Sequence, residues 1–292
     1  MSKVTNKHFK ESKCIESAAW WFDTLVMALP PGPRFIPFKY SINLQKCGMP
    51  IFCIACMLYF DNWSLACWVY TALHGTYGVF WYMKSVMTPD PWFDEPQTLL
   101  SSIGGLAFVL GPYSSMMLFL AAGWVPEEVQ NPHPERIFLA SVMYICGIIA
   151  MLGADQQKYF TLRERRYLLD DCWMAWTRNP NYLGEMLLYA AFNVVAQCEH
   201  MWIFLPVVWG TLFNFRMQLK EYQLSKKEGW EEYKQRTWIL LPKLYGSSAT
   251  TACFYLLLAS TFYTTLAFGG MEATLKLLVK ATKEGVMQPK GL

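Results

Sequence analysis

Charged residues are scarce in this chain. Asp, Glu, Lys and Arg make up 16% of its 292 residues, against roughly 25% in a typical soluble domain. Two long stretches contain none of them, one between Gln97 and Pro126 and one between Gly246 and Glu272. Hydrophobic residues reach 54% and stand in long blocks, whereas a soluble fold would alternate them with polar residues. This composition excludes an ordinary soluble domain and indicates an integral membrane protein.

Several functional signatures are also absent. We recognise no phosphate-binding loop and no Ser-His-Asp arrangement, and the net charge of +3 is too small for a nucleic-acid-binding surface. Cys53 and Cys56 form a Cys-x-x-Cys pair on an apolar segment. They lack a second pair or a nearby histidine, so we predict no metal site. The polar start of the chain and the segment after it lack the apolar centre of a cleavable signal peptide.

The apolar blocks are long enough to cross a bilayer, which takes about 20 helical residues. We therefore predict an all-α fold, a polytopic membrane bundle of about seven transmembrane helices. The predicted spans are 47–60, 63–83, 98–124, 137–154, 182–198, 201–215 and 249–268. The first, fifth and sixth are shorter than a full span.

The rest of the chain divides around this bundle. Residues 1–43 form a basic and interfacial segment, with an aromatic cluster at Trp20 that precedes a proline turn. Residues 44–268 form the membrane domain. Residues 269–292 form an amphipathic tail that would lie on the membrane surface or dock on a partner.

Basic residues are concentrated in two segments, 155–181 and 216–245. Two predicted spans separate these segments, and an even number of crossings returns the chain to the same side. By the positive-inside tendency that side is the cytosol, or the matrix if the membrane is the mitochondrial inner one. Together the segments form a cationic surface that suits a polyphosphate or an anionic lipid headgroup. A purely topological role for these loops stays open.

The stretch TRNPNYLGE, residues 177–185, places polar residues at the start of an apolar helix. Pro180 suits the first turn of that helix, and Asn179 is the predicted cap.

Three polar side chains of the same helix, Asn181, Tyr182 and Glu185, share one face. A carboxylate one turn inside an apolar helix is costly unless it has a partner, and such groups are usually functional. The structural alternatives are that Glu185 only pairs with Arg178 or Arg216, and that Tyr182 is only an interfacial anchor.

Three blocks, ADQQKYF at 154–160, WTRNPNYLGE at 176–185 and KEGWEEYKQRTWILLPKLYG at 227–246, resemble the C-terminal region of the membrane steroid reductases. That group includes the steroid 5-alpha-reductases, the delta-14 and related sterol reductases, and the uncharacterised DUF1295-type branch. The resemblance implies a multi-span enzyme of the endoplasmic reticulum. Its cofactor loops on the cytosolic side, within a cofactor region of residues 153–246, would hold NADPH in a polar cavity that opens to the cytosol. The enzyme would reduce a carbon–carbon double bond in a lipid.

The resemblance also implies site residues, position by position. Asn181 and Glu185 are expected to hold the nicotinamide amide, and the arginines suit phosphate oxygens. All are expected to converge on one dinucleotide-sized hollow. The implied cofactor-binding residues are Asp155, Gln157, Lys158, Arg165, Arg178, Asn181, Tyr182, Glu185, Glu221, Tyr222, Tyr233 and Arg236.

The chain departs from the family pattern in three places. Asn179 stands where the family has His, residues 171–173 replace Gly-Leu-Trp, and Trp238 replaces a Ser. None of these changes removes a charged cofactor contact.

The predicted catalytic residues are Tyr77, Tyr182 and Glu185. Tyr77 is the preferred proton donor, and it shares a helix face with His74. The structural alternative is that both are packing residues.

Three functions follow from these observations. The leading one is an NADPH-dependent oxidoreductase that reduces a double bond in a sterol, polyprenoid or fatty-acyl lipid. The second is a methyltransferase similar to the isoprenylcysteine methyltransferases, which would use S-adenosylmethionine. The third is a non-catalytic, reductase-like subunit that binds lipid within a larger membrane complex. The expected partners are the lipid bilayer and a lipid substrate.

Overall fold

The computed structural model describes residues 16–17, 20, 22–24, 26–164, 167–244, 246–267 and 270–286. In these residues the fold is mainly helical, as predicted, with one small β-ribbon. The elements in chain order are β1 (Arg34–Pro37), α1 (Phe38–Phe60), α2 (Leu65–Met87), a 3-10 turn (Pro91–Asp94), β2 (Pro96–Thr98), α3 (Leu99–Ala121), α4 (Glu127–Gln130), α5 (Pro134–Glu164), α6 (Trp173–Trp176), α7 (Pro180–Ala196), α8 (Glu199–Val208), a π-helical segment (Trp209–Phe213), α9 (Asn214–Leu224), α10 (Trp230–Arg236), α11 (Ser248–Ala267) and α12 (Met271–Val286).

Three of the described helices, α1, α3 and α5, are long and apolar enough to cross a membrane. The protein is therefore an integral membrane protein. Most of each predicted span falls on helical structure, but α1 starts well before the predicted residue 47. The extra turns include Lys39 and Lys46, two charges that made this part of the chain unlike a span.

The described helix ends form two groups, which define the two ends of the bundle. At one end, Lys84 Nζ of α2 lies 2.5 Å from Asp155 Oδ2 of α5. We call this the polar end. At the opposite end, Asn62 Nδ2, just after α1, donates to the carbonyl oxygen of Ala121 at 3.0 Å. These contacts make α1, α2, α3 and α5 run in alternating directions.

The β-ribbon was not predicted. β1 and β2 pair antiparallel, with Arg34 opposite Thr98 and an irregularity between Arg34 and Ile36. Both strands are very short and contain proline, so they carry no alternating pattern that could identify them. The ribbon ties the segment before α1 to the segment before α3 at the polar end.

The N-terminal segment packs on the same end. Residues 22–24 and 26–28 are helical, and this helix stops before Pro30, where a proline turn was predicted. Gln97 Nε2 donates to the carbonyl oxygen of Val26 at 2.8 Å.

The C-terminal helix α12 begins at the opposite end. The backbone N–H of Met271 donates to Glu135 Oε2 at 3.1 Å, so a carboxylate at the start of α5 satisfies a free donor at the start of α12. Leu275, Leu278 and Val279 of α12 are exposed.

The helices α5 and α7 pack closely against each other at a pair of glycines. A methyl group built on Gly184 of α7 would lie 2.5 Å from the carbonyl oxygen of Gly147 on α5, and one on Gly147 would lie 2.8 Å from the carbonyl oxygen of Gly184. Only glycine allows the two backbones to approach this closely, as is common at helix contacts in membranes.

We expect Gly184→Ala to destabilise the bundle by about 1–3 kcal/mol, because the added methyl group must push α5 and α7 apart. The measurement is the thermal unfolding midpoint of the purified protein in detergent.

Gly48→Ala is the matched control, since a methyl group at this position in α1 meets no atom within 4 Å. It should leave the midpoint unchanged or raise it. Equal midpoints for the two variants would contradict the close α5–α7 contact.

Candidate functional site

The polar end contains a cluster of charges around Trp81 of α2. The ammonium groups of Lys46 and Lys84 lie 3.4 and 4.4 Å from the centre of the Trp81 ring. Each has a carboxylate partner: Lys46 Nζ is 3.7 Å from Glu185 Oε1, and Lys84 Nζ is 2.5 Å from Asp155 Oδ2. Four helices, α1, α2, α5 and α7, thus contribute one charge each to what we call the Trp81 cluster, which comprises these five residues.

Charges this deep in an apolar bundle are stable only when they are paired. The side chains of Lys46 and Glu185 are 6% and 20% exposed. Glu185 therefore has an ion-pair partner, but the partner is Lys46 and not Arg178 or Arg216, the two arginines considered from the sequence.

Tyr77 joins this cluster from α2. Lys46 Nζ donates a hydrogen bond to Tyr77 Oη at 2.5 Å, and Tyr77 is fully buried. Its ring meets the ring of Tyr189 edge to face, with 5.9 Å between centroids. The predicted proton donor and the predicted nicotinamide-binding carboxylate are therefore joined through a single ammonium group.

His74 lies one turn before Tyr77 and is also fully buried. Its Nδ1 is hydrogen-bonded to Tyr70 Oη at 2.7 Å, and its ring stacks on Phe192 with 4.1 Å between centroids. Its Nε2 is buried without a hydrogen-bond partner among the described residues. His74 packs between aromatic side chains, as a packing residue would.

Asn181 and Tyr182 lie on the first turn of α7. Asn181 Oδ1 is buried and has no hydrogen-bond partner among the described residues. A buried carbonyl oxygen without a partner is costly, and it would be satisfied by an N–H group of a ligand. The ring of Tyr182 packs against Phe213, with 5.2 Å between centroids.

Asn179 is the N-cap residue of α7, as predicted, but its side chain makes no capping hydrogen bond. Its Nδ2 instead donates to the carbonyl oxygen of Ile239 at 2.8 Å. The segment after α10 competes for this side chain, which a local sequence pattern could not indicate.

The side chain of Arg178 is hydrogen-bonded to other residues of the protein. Its Nε donates to both carboxylate oxygens of Glu221, at 2.8 and 2.9 Å, and its Nη1 donates to the carbonyl oxygen of Thr237 at 2.5 Å. Its backbone N–H donates to the carbonyl oxygen of Trp238 at 3.0 Å. Arg178 and Glu221 therefore form a clamp that ties the start of α7 to α9 and to the segment after α10.

The other residues of the third block also have protein partners. Tyr233 Oη donates to the carbonyl oxygen of Met174 at 2.9 Å, and burial raises the pKa of Tyr233, so this hydroxyl stays protonated. Arg236 forms an ion pair with Asp170 and donates to its carbonyl oxygen at 3.1 Å. Tyr222 Oη donates to Glu16 Oε1 at 3.0 Å.

In the first block, Gln157 is hydrogen-bonded to the segment that leads into α6. Its Nε2 donates to Asp171 Oδ1 at 2.8 Å, and its Oε1 accepts from the backbone N–H of Trp173 at 3.0 Å. Lys158 of α5 is exposed. Arg165 lies outside the described residues.

Two lysines near the site were missed by the sequence analysis, in addition to Lys46. Lys84 lies in the last turn of α2 and forms an ion pair with Asp155. Lys220 of α9 donates to the carbonyl oxygen of Arg178 at 2.7 Å. Burial and the positive charge of Lys158 lower the pKa of Lys220 to about 7. A signal existed for Lys46 and Lys84, since a lysine within or next to an apolar span indicates function by default.

A cleft beside the Trp81 cluster opens at the polar end. Its lining includes Asn43, Trp81, Lys84, Thr88 and Phe93. Among the described residues, no group of three or more His, Cys, Asp or Glu side chains could hold a metal ion.

Comparison with known proteins agrees with the resemblance. Residues 116–237 match the model of a family described as a protein of unknown function, DUF1295. The chain is also 27% identical over 210 residues to the delta(14)-sterol reductase of Mus musculus. The aligned region covers 62% of this chain and 48% of that protein, so the chain spans about half the length of this curated relative.

The matched family region contains Asp155, Asn181, Glu185 and Arg236, whereas Lys46 and Tyr77 lie before it. Residues 116–237 are therefore similar to the DUF1295 family, and the chain is distantly similar to a sterol reductase.

Proposed function

We propose that this protein is a membrane oxidoreductase that reduces a carbon–carbon double bond in a sterol, polyprenoid or fatty-acyl lipid with NADPH. The similarity of the chain to a delta(14)-sterol reductase of the mouse supports this reaction class. NADPH would supply a hydride to one carbon of the double bond, and a side chain of the protein would supply a proton to the other.

The observation that carries this proposal is the pair of oxygen atoms that α7 presents at the polar end. Asn181 Oδ1 is buried without a partner, and the carboxylate of Glu185 lies one turn further along the same face. A nicotinamide carboxamide has two N–H donors and one acceptor. Its donors match these two oxygens, so the residues present fit the cofactor.

The phosphates would lie toward the rim of the site. Lys158 is exposed there, and the Lys220 ammonium lies beside the start of α7. Arg178 and Glu221 would position the third block and would not contact the phosphates themselves, because their polar atoms are engaged with each other and with Thr237. Arg236 would approach the adenosine end only by exchanging its ion pair with Asp170.

Tyr77 is the better of the two candidate proton donors. Its hydroxyl lies in the Trp81 cluster and touches the Lys46 ammonium, which would stabilise the phenolate left after proton transfer. Tyr182 lies on the first turn of α7 and packs on Phe213. The enclosed aromatic surroundings of Tyr77 would also exclude water from the reacting atoms.

We further propose seven membrane crossings in a domain of residues 44–268, with the polar end in the cytosol. The contacts at the two helix ends support an alternating path through the bundle, and α12 begins beside Glu135, opposite the polar end. Both basic segments then face the cytosol, in agreement with the positive-inside tendency. The endoplasmic reticulum is the proposed membrane, and the mitochondrial inner membrane is the alternative.

One observation favours a second function, a non-catalytic subunit that retains the reductase-like fold. Arg178, Glu221, Tyr233 and Arg236 all bind other parts of the protein. A fold maintained only as a scaffold would keep such contacts without holding a cofactor. The exposed apolar side chains of α12 would then contact a partner in a larger complex.

Binding of NADPH separates these functions. For a reductase, we expect NADPH to raise the melting temperature of the purified protein in detergent, by mass action on the native state. S-adenosylmethionine should not, because the proposed site is matched to a carboxamide. A shift with S-adenosylmethionine alone would favour the methyltransferase, and no shift with either would favour the scaffold.

Asn181→Ala should weaken NADPH binding by about tenfold, since a hydrogen bond to a buried group contributes about 1–1.5 kcal/mol. Asn214→Ala is the matched control, because Asn214 is an exposed amide on α9. Titration of the intrinsic tryptophan fluorescence with NADPH gives both dissociation constants. Equal affinities in the two variants would argue against the nicotinamide position.

NADPH binding should weaken as the pH rises above 7. Lys220, whose pKa is lowered to about 7, is charged below this pH and neutral above it. A bound phosphate would raise its pKa, so the affinity should fall by up to about tenfold per pH unit until the pKa of the complex is reached.

Lys220→Met should remove this part of the pH dependence, whereas Lys234→Met, a change at an exposed lysine of α10, should retain it. NADPH dissociation constants measured from pH 6 to 9 provide the comparison. The same pH profile in all three proteins would exclude a role for Lys220.

A further inference from the structure

Lys46 has an unusual position for a charged residue. It lies within the apolar helix α1 and is only 5% exposed. Its ammonium group contacts three aromatic rings, with centroids at 3.4 Å for Trp81, 5.0 Å for Tyr77 and 5.8 Å for Tyr189. A lysine held this deeply has lost its hydration, so its position requires specific partners.

The hydrogen bond between Lys46 and Tyr77 has a fixed direction. An ammonium group has three donors and no acceptor, so Tyr77 Oη must accept in this bond. The hydrogen of the Tyr77 hydroxyl is therefore directed to something other than Lys46. The ammonium group thus orients this phenol for donation.

The same ammonium reaches the carboxylate of Glu185 on α7, at 3.7 Å. This second contact fixes α1, α2 and α7 relative to each other at one point. The distance between the group that donates the proton and the group that holds the nicotinamide then depends on one side chain.

We propose that Lys46 is a positioning residue, which orients the Tyr77 hydroxyl for proton donation and holds it in register with Glu185. This inference rests on the proposed reductase function and adds to it a residue outside the matched family region.

The proposed reaction adds one hydride and one proton to the double bond. One alkene carbon receives a hydride from NADPH, which becomes NADP+, and the other carbon receives the proton of Tyr77 Oη. The carbon–carbon π bond is lost and two C–H bonds form. The phenolate that remains faces the Lys46 ammonium, and water restores its proton after the product leaves.

The test compares three variants. Lys46→Met removes the ammonium at similar side-chain length, Lys46→Arg keeps a charged donor, and Lys39→Met makes the same chemical change at an exposed lysine of the same helix. The probes are NADPH with three lipids: a sterol whose double bond is conjugated to a ketone, a sterol with an isolated ring double bond, and an enoyl thioester. The readouts are kcat, KM and the NADPH dissociation constant.

We expect Lys46→Met to lower kcat by about 100-fold, the lower range for loss of an acid catalyst, while NADPH affinity changes by less than about threefold. Lys46→Arg should recover kcat to within about tenfold of the wild type, and Lys39→Met should match the wild type. If Lys46→Met fails to fold, Lys46→Gln, which keeps a neutral donor, takes its place and should give an intermediate kcat.

A double-mutant cycle separates positioning from a structural role. In a Tyr77→Phe background, Lys46→Met should lower kcat by less than about threefold, because its effect operates through the missing hydroxyl. A full 100-fold loss in that background, or unchanged kcat in Lys46→Met, would overturn the proposal.

Failure of the underlying function has a different signature. A wild-type protein that neither binds NADPH nor oxidises it with any of the three lipids would refute the reductase function and, with it, the role of Lys46. A wild-type protein that is active, with Lys46→Met equal to Lys39→Met, would refute the role of Lys46 alone.

Discussion

Neutralisation of buried charge is the constraint on which the polar end of this protein depends. Lys46, Lys84, Asp155 and Glu185 come from four different helices and meet around Trp81. Removing one partner of a buried ion pair typically destabilises a protein by about 3–5 kcal/mol, because the other charge is left without compensation. The pairing therefore fixes the relative register of α1, α2, α5 and α7, and it gathers the groups that the proposed chemistry requires.

Two further features hold the site in place without taking part in chemistry. The contact between Gly147 and Gly184 brings the backbones of α5 and α7 together, so Asp155 and Asn181 lie on helices that cannot easily separate. The clamp between Arg178 and Glu221 fastens α9 to the start of α7. In this arrangement Arg178 and Arg236, which belong to the two basic segments, bind other parts of the protein. Lys158 and Lys220 are then the cations that the proposed phosphate site would use.

Much of the helical fold could be predicted, because charge-free apolar blocks must become helices in a membrane, where each backbone polar group needs a partner within its own segment. The three blocks also lie in or overlap the region that is similar to the DUF1295 family. The predicted start of α1 was wrong, since Lys39 and Lys46 made that segment too polar for a span when considered alone. The β-ribbon was missed because its strands are too short to carry a pattern. For the site, the shared face of Asn181 and Glu185 followed from helical spacing, but the partner of Glu185 did not.

What the sequence by itself determined is local: which segments are apolar enough to be buried in lipid, where a proline allows α7 to begin, and which side chains share a face of that helix. Helical periodicity and the cost of burying charge act over a few residues, so they can be read along the chain. Only the tertiary structure decided that Lys46 contacts Glu185 and Tyr77. It also decided that Arg178 forms an ion pair with Glu221, and that the Asn179 side chain donates to the carbonyl oxygen of Ile239. These pairings join residues on different helices, and the free energy that selects among them comes from the packing of the whole bundle.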